Sequence, residues 1–108
     1  MSKKFTLGSD RSSALSLLPE KAIRKVQLGD DLICLTRIGE KIFAFQHLCP
    51  HQSASLVDGK INSFDEIICP LHHYRFDLHT GDLRSGDNCP DLKVYQSELS
   101  DEGITIFI

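Results

Sequence analysis

Residues 49–72 read C-P-H-Q-S-A-S-L-V-D-G-K-I-N-S-F-D-E-I-I-C-P-L-H, and the rest of the chain is organised around this stretch. Cys49 and His51 are mirrored, after an intervening seventeen residues, by Cys69 and His72. Each half offers one thiolate and one imidazole, so the halves read as paired loops gripping something between them. Two Cys and two His suit a tetrahedral zinc ion. They also suit a [2Fe–2S] cluster with both thiolates on one iron and both imidazoles on the other. Finger-type zinc sites place Cys near Cys and His near His, whereas each close pair here is mixed. Pro50 and Pro70 each follow a Cys directly. Proline fixes its own φ and biases the preceding residue away from the helical region, which stiffens both loops. One Cys-Pro pair is an ordinary turn; two, each beside a candidate ligand, suit a site that keeps its shape on gaining an electron.

Outward from this stretch, composition sets the bounds. At 108 residues the chain is read as a single domain, 1–108. Its 41% apolar and 25% charged residues are those of an ordinary globular protein. A net charge of −3 argues against sequence-independent binding of nucleic acid and gives no attraction to anionic membranes. The longest apolar run near the N-terminus, Ala14 to Leu18, is broken by Ser16 and stopped by Pro19, too short for a secretory signal. Nothing approaches a membrane span. A cytoplasmic location is therefore expected, where reducing conditions favour a metal site over the two disulfides that four Cys would allow.

The pattern along the chain is mostly β. A short strand is expected around Phe5, and Ser12 to Glu20 reads as loop because Pro19 limits any helical turn. Ala22–Leu28, Asp31–Ile38 and Lys41–Gln46 read as strands, the last two forming a hairpin about Gly39-Glu40. In the middle strand Leu32, Cys34 and Ile38 share one face and Ile33 and Leu35 the other, so both faces are apolar and the strand is expected to be central. Asp58-Gly59 signals a turn into a short strand at Lys60–Asn62, and Glu66–Ile68 runs into the second Cys-Pro loop. Tyr74–Leu78 and Asp82–Arg84 read as a hairpin about Thr80-Gly81. Ser85–Pro90 reads as loop, and Leu92–Ser97 and Ile104–Ile108 as final strands. Many short strands without a long helix give an all-β domain.

Taken together, the mixed C-x-H and C-x2-H halves resemble the Rieske [2Fe–2S] domain family. Phe76-Asp77 and Thr80-Gly81 match the F-D…T-G that commonly follows the second loop. Gly86 to Pro90 sits where the family places a proline-containing loop over the cluster. The resemblance implies a Rieske fold: antiparallel sheets with a small cluster-binding subdomain, here about residues 47–78. It further implies that Cys49 and Cys69 bind the inner iron, and that His51 and His72 bind the outer iron through Nδ1, with Nε2 left near solvent. Two ferric ions, two sulfides and two thiolates sum to zero charge, whereas four thiolates would make a dianion. Adding an electron to the neutral site costs less, so His ligation raises the potential. The imidazoles can also couple reduction to protonation.

Departures from the respiratory branch of the family carry information. The positions of its extra cysteine pair hold Ala54 and Leu71, so that disulfide cannot form. The positions of its Ser and Tyr donors to sulfur hold Tyr74 and Phe76, and Phe76 has no donor. Fewer hydrogen bonds to sulfur leave the reduced state less stabilised. The expected potential lies in the lower part of the roughly −150 to +300 mV Rieske range.

The remaining candidates have plainer readings. Cys34 is expected to be a buried core thiol, and Cys89 a loop thiol exposed to oxidation if it lies near a cluster. His73 is the rival to His72, but the C-x2-H match favours His72. His47 and His79 read as polar loop residues, and Asp101-Glu102 as a solvated turn. Tyr74, Arg75 and His73 are candidates for a docking rim. Three functions stay open. One is a Rieske-type ferredoxin passing single electrons from a reductase to an oxygenase or related enzyme, with no small-molecule substrate of its own. The second is an accessory Rieske subunit of an oxygenase or reductase complex, and the third a structural zinc module. The chain has no room for the additional catalytic domain of a complete oxygenase, with its two His and a carboxylate.

Overall fold

The computed structural model describes residues 3–108. The chain opens with β1 (Lys4–Leu7) and a helix, α1 (Arg11–Leu17), before β2 (Ile23–Leu28), β3 (Asp31–Ile38) and β4 (Lys41–Gln46). A 3-10 turn at Leu56–Asp58 leads to β5 (Lys60–Ile61), β6 (Glu66–Ile68), β7 (Arg75–Asp77) and β8 (Leu83–Ser85). The strands β9 (Val94–Ser100) and β10 (Gly103–Phe107) follow. All pairings are antiparallel. They build a six-stranded sheet in the order β1-β10-β9-β4-β3-β2 and a four-stranded sheet in the order β5-β6-β7-β8. This is the all-β antiparallel architecture that the sequence predicts. No helix among the described residues is long and apolar enough to cross a membrane.

The hairpin of β3 and β4 keeps the boundaries read from its alternation, with Ile38 paired to Lys41 across a two-residue turn. Gly39 occupies the first central position at φ +62°, the place a type II′ turn reserves for glycine. Both faces of this hairpin are buried, but not because it lies mid-sheet: β3 is one strand from the edge. Instead it separates two cores. On one face Ile33, Leu35, Ile42 and Ala44 join Ile104, Ile106, Ala14 and Leu18. On the other, Cys34, Phe43 and Phe45 pack with Leu56, Ile67, Phe76, Leu78 and the two candidate cysteines Cys49 and Cys69. Alternation of period two sends neighbours to opposite faces, so one hairpin serves both cores. Phe45 and Phe76 are fully buried in the second core, each stabilising it by about 1.5–3 kcal/mol.

The segment read as loop contains α1, and this corrects the sequence expectation. Asp10 caps the helix: its Oδ1 accepts from the Ser13 amide at 2.7 Å, while Ser13 Oγ accepts from the Asp10 amide at 3.2 Å. Ala14 and Leu18, four apart and so on one helix face, are both buried against the first core. Pro19 lies beyond the last helical residue and ends the helix rather than preventing it. The aspartate cap and the single buried stripe together stabilise a helix too short to stand alone.

Candidate metal centre

The first Cys-Pro loop leaves the end of β4 and is closed by its own backbone. The Leu56 amide donates to the His47 carbonyl at 2.9 Å, the Cys49 amide to Ala54 at 2.8 Å, and the Ser53 amide to Cys49 at 2.8 Å. The second loop leaves β6 and returns into β7, with the Cys69 amide donating to the Tyr74 carbonyl at 2.8 Å. To turn within this span, His72 and His73 take left-handed φ values of +65° and +58°. Such conformations cost L-residues of order 1–3 kcal/mol and persist only where surroundings impose them.

The two loops bring all four sequence-predicted side chains into one neighbourhood. Cys49 and Cys69 are buried at the head of the second core, at 2% and 0% exposure, and their thiols lie within hydrogen-bond reach of each other. The His51 and His72 rings face each other with centroids 5.3 Å apart and a tilt of 58°. Among the described residues, Nδ1 of His51 is a buried side-chain atom without a hydrogen-bond partner, as is Oγ1 of Thr36 in β3. A buried acceptor or donor left unpaired is costly and calls for a partner that the protein chain does not supply. The Cys69 thiol is pushed up to about 11, chiefly by burial and further by the neighbouring sulfurs of Cys49 and Cys89, against a lowering hydrogen bond from Leu71. Bare thiolates are thus disfavoured here; a bound cation would deprotonate them outright.

The donor set fits a dinuclear cluster better than one ion. Two inner sulfurs and two outer imidazoles provide two donors for each of two irons. His73 is exposed and takes no part in the ring contacts of His51, which are to His72 and Tyr74.

Other candidates have different places. Cys34 is wholly buried and its thiol is pushed up to about 11 by burial, Lys25 opposing, as suits an inert core residue. His79 lies edge-on to Phe43 at 4.8 Å and meets Asp65 Oδ2 at 3.1 Å. Arg75 pairs with Glu66 at 3.3 Å. The exposed apolar residues near the loops are Leu48 and Leu71.

Two residues make contacts that the sequence reading did not specify. Cys89, half-buried, packs against the core that holds Cys49 and Cys69, and its thiol is pushed up by burial and by Cys49. Tyr74 lies flat on His51, with ring centroids 3.8 Å apart and planes 11° apart, and its hydroxyl donates to the Asp87 carbonyl at 3.1 Å. No periodicity announces either, because both contacts join segments distant in sequence.

Comparison with known proteins gives the family. The family model of the Rieske [2Fe-2S] domain matches residues 11–96. The ferredoxin component of the naphthalene 1,2-dioxygenase/salicylate 5-hydroxylase systems of Ralstonia sp is 32% identical over 88 residues, covering 82% of this chain and 84% of that protein. Apoptosis-inducing factor 3 of Mus musculus is 33% identical over 84 residues, which span 78% of this chain but only 14% of that protein. Among solved structures, a complex of reduced oxygenase and oxidized ferredoxin in carbazole 1,9a-dioxygenase contains a chain with TM-score 0.79 and 26% identity, covering 95% of this chain and 91% of its own. The chain belongs to the Rieske [2Fe–2S] domain family, and its cofactor is a Rieske-type [2Fe–2S] cluster.

Proposed function

We propose that this chain is a Rieske-type ferredoxin: a one-electron carrier that accepts from a reductase and delivers to an oxygenase or related redox enzyme. The observation that carries the reading is the buried, partnerless Nδ1 of His51 beside two buried thiols. Cys49 and Cys69 would hold the inner iron, and His51 and His72 the outer one. The cluster, when bound, takes up and releases a single electron. The chain's own residues hold it still and dry: Phe43, Phe45 and Phe76 pack around the cysteines, and the strained, hydrogen-bonded loops resist change of shape. Residues 1–108 would act as one unit, with 47–78 as its cluster-bearing tip.

The Ralstonia relative matched along most of its length is a ferredoxin component, which supports electron carriage over substrate chemistry. The carbazole dioxygenase complex pairs a similar chain with an oxygenase, which supports an enzyme as electron acceptor. A net charge of −3 suits steering toward a basic patch on such a partner. A cytoplasmic location accords with the free thiols of Cys34 and Cys89. The match to a small fraction of apoptosis-inducing factor 3 favours one second reading, the same domain working as one part of a larger protein or complex.

The test is anaerobic absorption and EPR spectroscopy with iron and sulfide assays. The expected result is two irons and two sulfides per chain, with a Rieske-type signal after dithionite. A colourless protein holding one zinc after cluster reconstitution overturns the proposal in favour of a structural module.

A further inference from the structure

The two histidines of the site are not equivalent. His72 is exposed on a left-handed turn, whereas His51 is half-buried beneath the flat face of Tyr74. Metal-bound imidazoles are ordinarily oriented by a hydrogen bond to the ring nitrogen that does not bind metal. The contacts that hold the His51 ring are of another kind: the parallel stack on Tyr74 at 3.8 Å and the tilted contact with His72 at 5.3 Å.

Tyr74 is itself fixed from two sides. Its hydroxyl donates to the Asp87 carbonyl at 3.1 Å. The backbone of Gly86 lies so close to the ring that a Cβ there would sit 2.3 Å from Cδ2 and 2.4 Å from Cε2. Its own carbonyl accepts from the Cys69 amide at 2.8 Å, closing the second Cys-Pro loop. One residue therefore joins His51 of the first loop through its ring, the turn of the second through its backbone carbonyl, and the loop at Gly86 and Asp87 through its ring and hydroxyl.

We propose that Tyr74 is a positioning residue that clamps and screens the His51 imidazole, leaving His72 as the member of the pair more open to reagents. This rests on the assignment of His51 and His72 as ligands. A flat ring held on both its hydroxyl and its α-carbon side restricts rotation of the imidazole stacked on it. It also excludes solvent and partner atoms from that face of His51. His72 is exposed.

The experiment uses the oxidised holoprotein, treated anaerobically with diethyl pyrocarbonate and analysed by peptide mass spectrometry for acylation at each histidine. Pulsed EPR of the reduced protein reads the nitrogen couplings of the two imidazoles. The wild type is expected to acylate at His72 well ahead of His51. Tyr74→Ala should raise the His51 rate by roughly two- to tenfold, the range that one aromatic stack spans, and broaden one of the two nitrogen couplings. Tyr74→Trp, which restores a flat face, should return both readouts toward wild type. Where Tyr74→Ala does not retain the cluster, Tyr74→Leu keeps bulk without a flat face and carries the same expectation. A purely structural role would change cluster retention without altering the His51:His72 labelling ratio. An unchanged ratio and unchanged couplings, in protein with a normal Rieske signal, overturn this inference alone. Absence of the Rieske signal from the wild type overturns the ligand assignment with it.

Discussion

Gly86→Ala tests how tightly the loop over the site is coupled to it. The added methyl would fall 2.3, 2.4 and 2.8 Å from Cδ2, Cε2 and Cγ of Tyr74. Carbon atoms rest about 3.5–4.0 Å apart, so either the ring or the glycine must retreat by roughly 1 Å. A retreat of the ring by that distance removes both the 3.8 Å stack on His51 and the 3.1 Å hydrogen bond to Asp87. The backbone adds its own cost, because φ is +141° at Gly86, a region that side-chain-bearing residues avoid at about 1–3 kcal/mol. The stack contributes about 0.5–1.5 kcal/mol and the hydrogen bond a similar amount. Gly86→Ala should therefore destabilise by about 2–6 kcal/mol.

A double-mutant cycle separates these causes. In a Tyr74→Ala background the methyl has room, and only the backbone cost of about 1–3 kcal/mol remains. The coupling energy should be about 1–3 kcal/mol. The assay is urea unfolding of the anaerobic oxidised holoprotein, followed in parallel by far-UV circular dichroism and the visible cluster band. Coincident transitions license the comparison of midpoints. Equal costs of Gly86→Ala in both backgrounds, to within about 0.5 kcal/mol, would refute the packing of this glycine against Tyr74.

Three further outcomes are expected. Cys34→Ala should cost roughly 1–2 kcal/mol at neutral pH through lost packing. Because burial raises this thiol from 9.0 to about 11, stability should fall as pH rises from 9.0 toward about 11, by an amount on the order of 2–3 kcal/mol that the alanine variant should lack in matched alkaline unfolding curves. Asp77 is pressed upward by burial, but Arg84 at 3.0 Å and the amides of His79 and Thr80 outweigh this and hold its carboxyl below 3.8. Asp77→Asn should cost about 1 kcal/mol, comparable to a lost helix cap. That difference should be present above pH 3.8 and vanish as pH falls through the native carboxyl's lower value; a difference that persists unchanged in acid counts against the ion pair. Finally, the Tyr74 hydroxyl is engaged by Asp87 and Phe76 offers none, so potentiometric titration should give a midpoint in the lower half of the roughly −150 to +300 mV range.

The sheets were largely legible in the sequence because their burial is local and periodic. The boundaries of β3, β4 and β6 follow directly from alternation and turn residues. The helix at Arg11–Leu17 was not, although Asp10 and Ser13 stood at capping-box spacing and Ala14 and Leu18 at helical spacing. Seven residues bury too little on their own to announce a helix; the stripe acquires meaning only from the β10 face it meets. Likewise, the paired spacing of Cys49, His51, Cys69 and His72 carried the chemistry of the site. It carried nothing of Tyr74 or Cys89, whose neighbours lie in other loops.

That contrast explains how a sequence with mirrored halves folds into a site with unequal ones. One residue separates Cys49 from His51, and two separate Cys69 from His72. The first loop stays compact, its Cys49 carbonyl accepting from Ser53, and keeps His51 half-buried. The second must turn through two left-handed histidines before its chain re-enters β7, and this carries His72 to the surface. Tyr74, the first residue after that turn, is thereby brought over the first loop rather than its own. The stack on His51 thus joins two loops whose spacing already makes them unequal, and it covers the histidine that the first loop keeps half-buried.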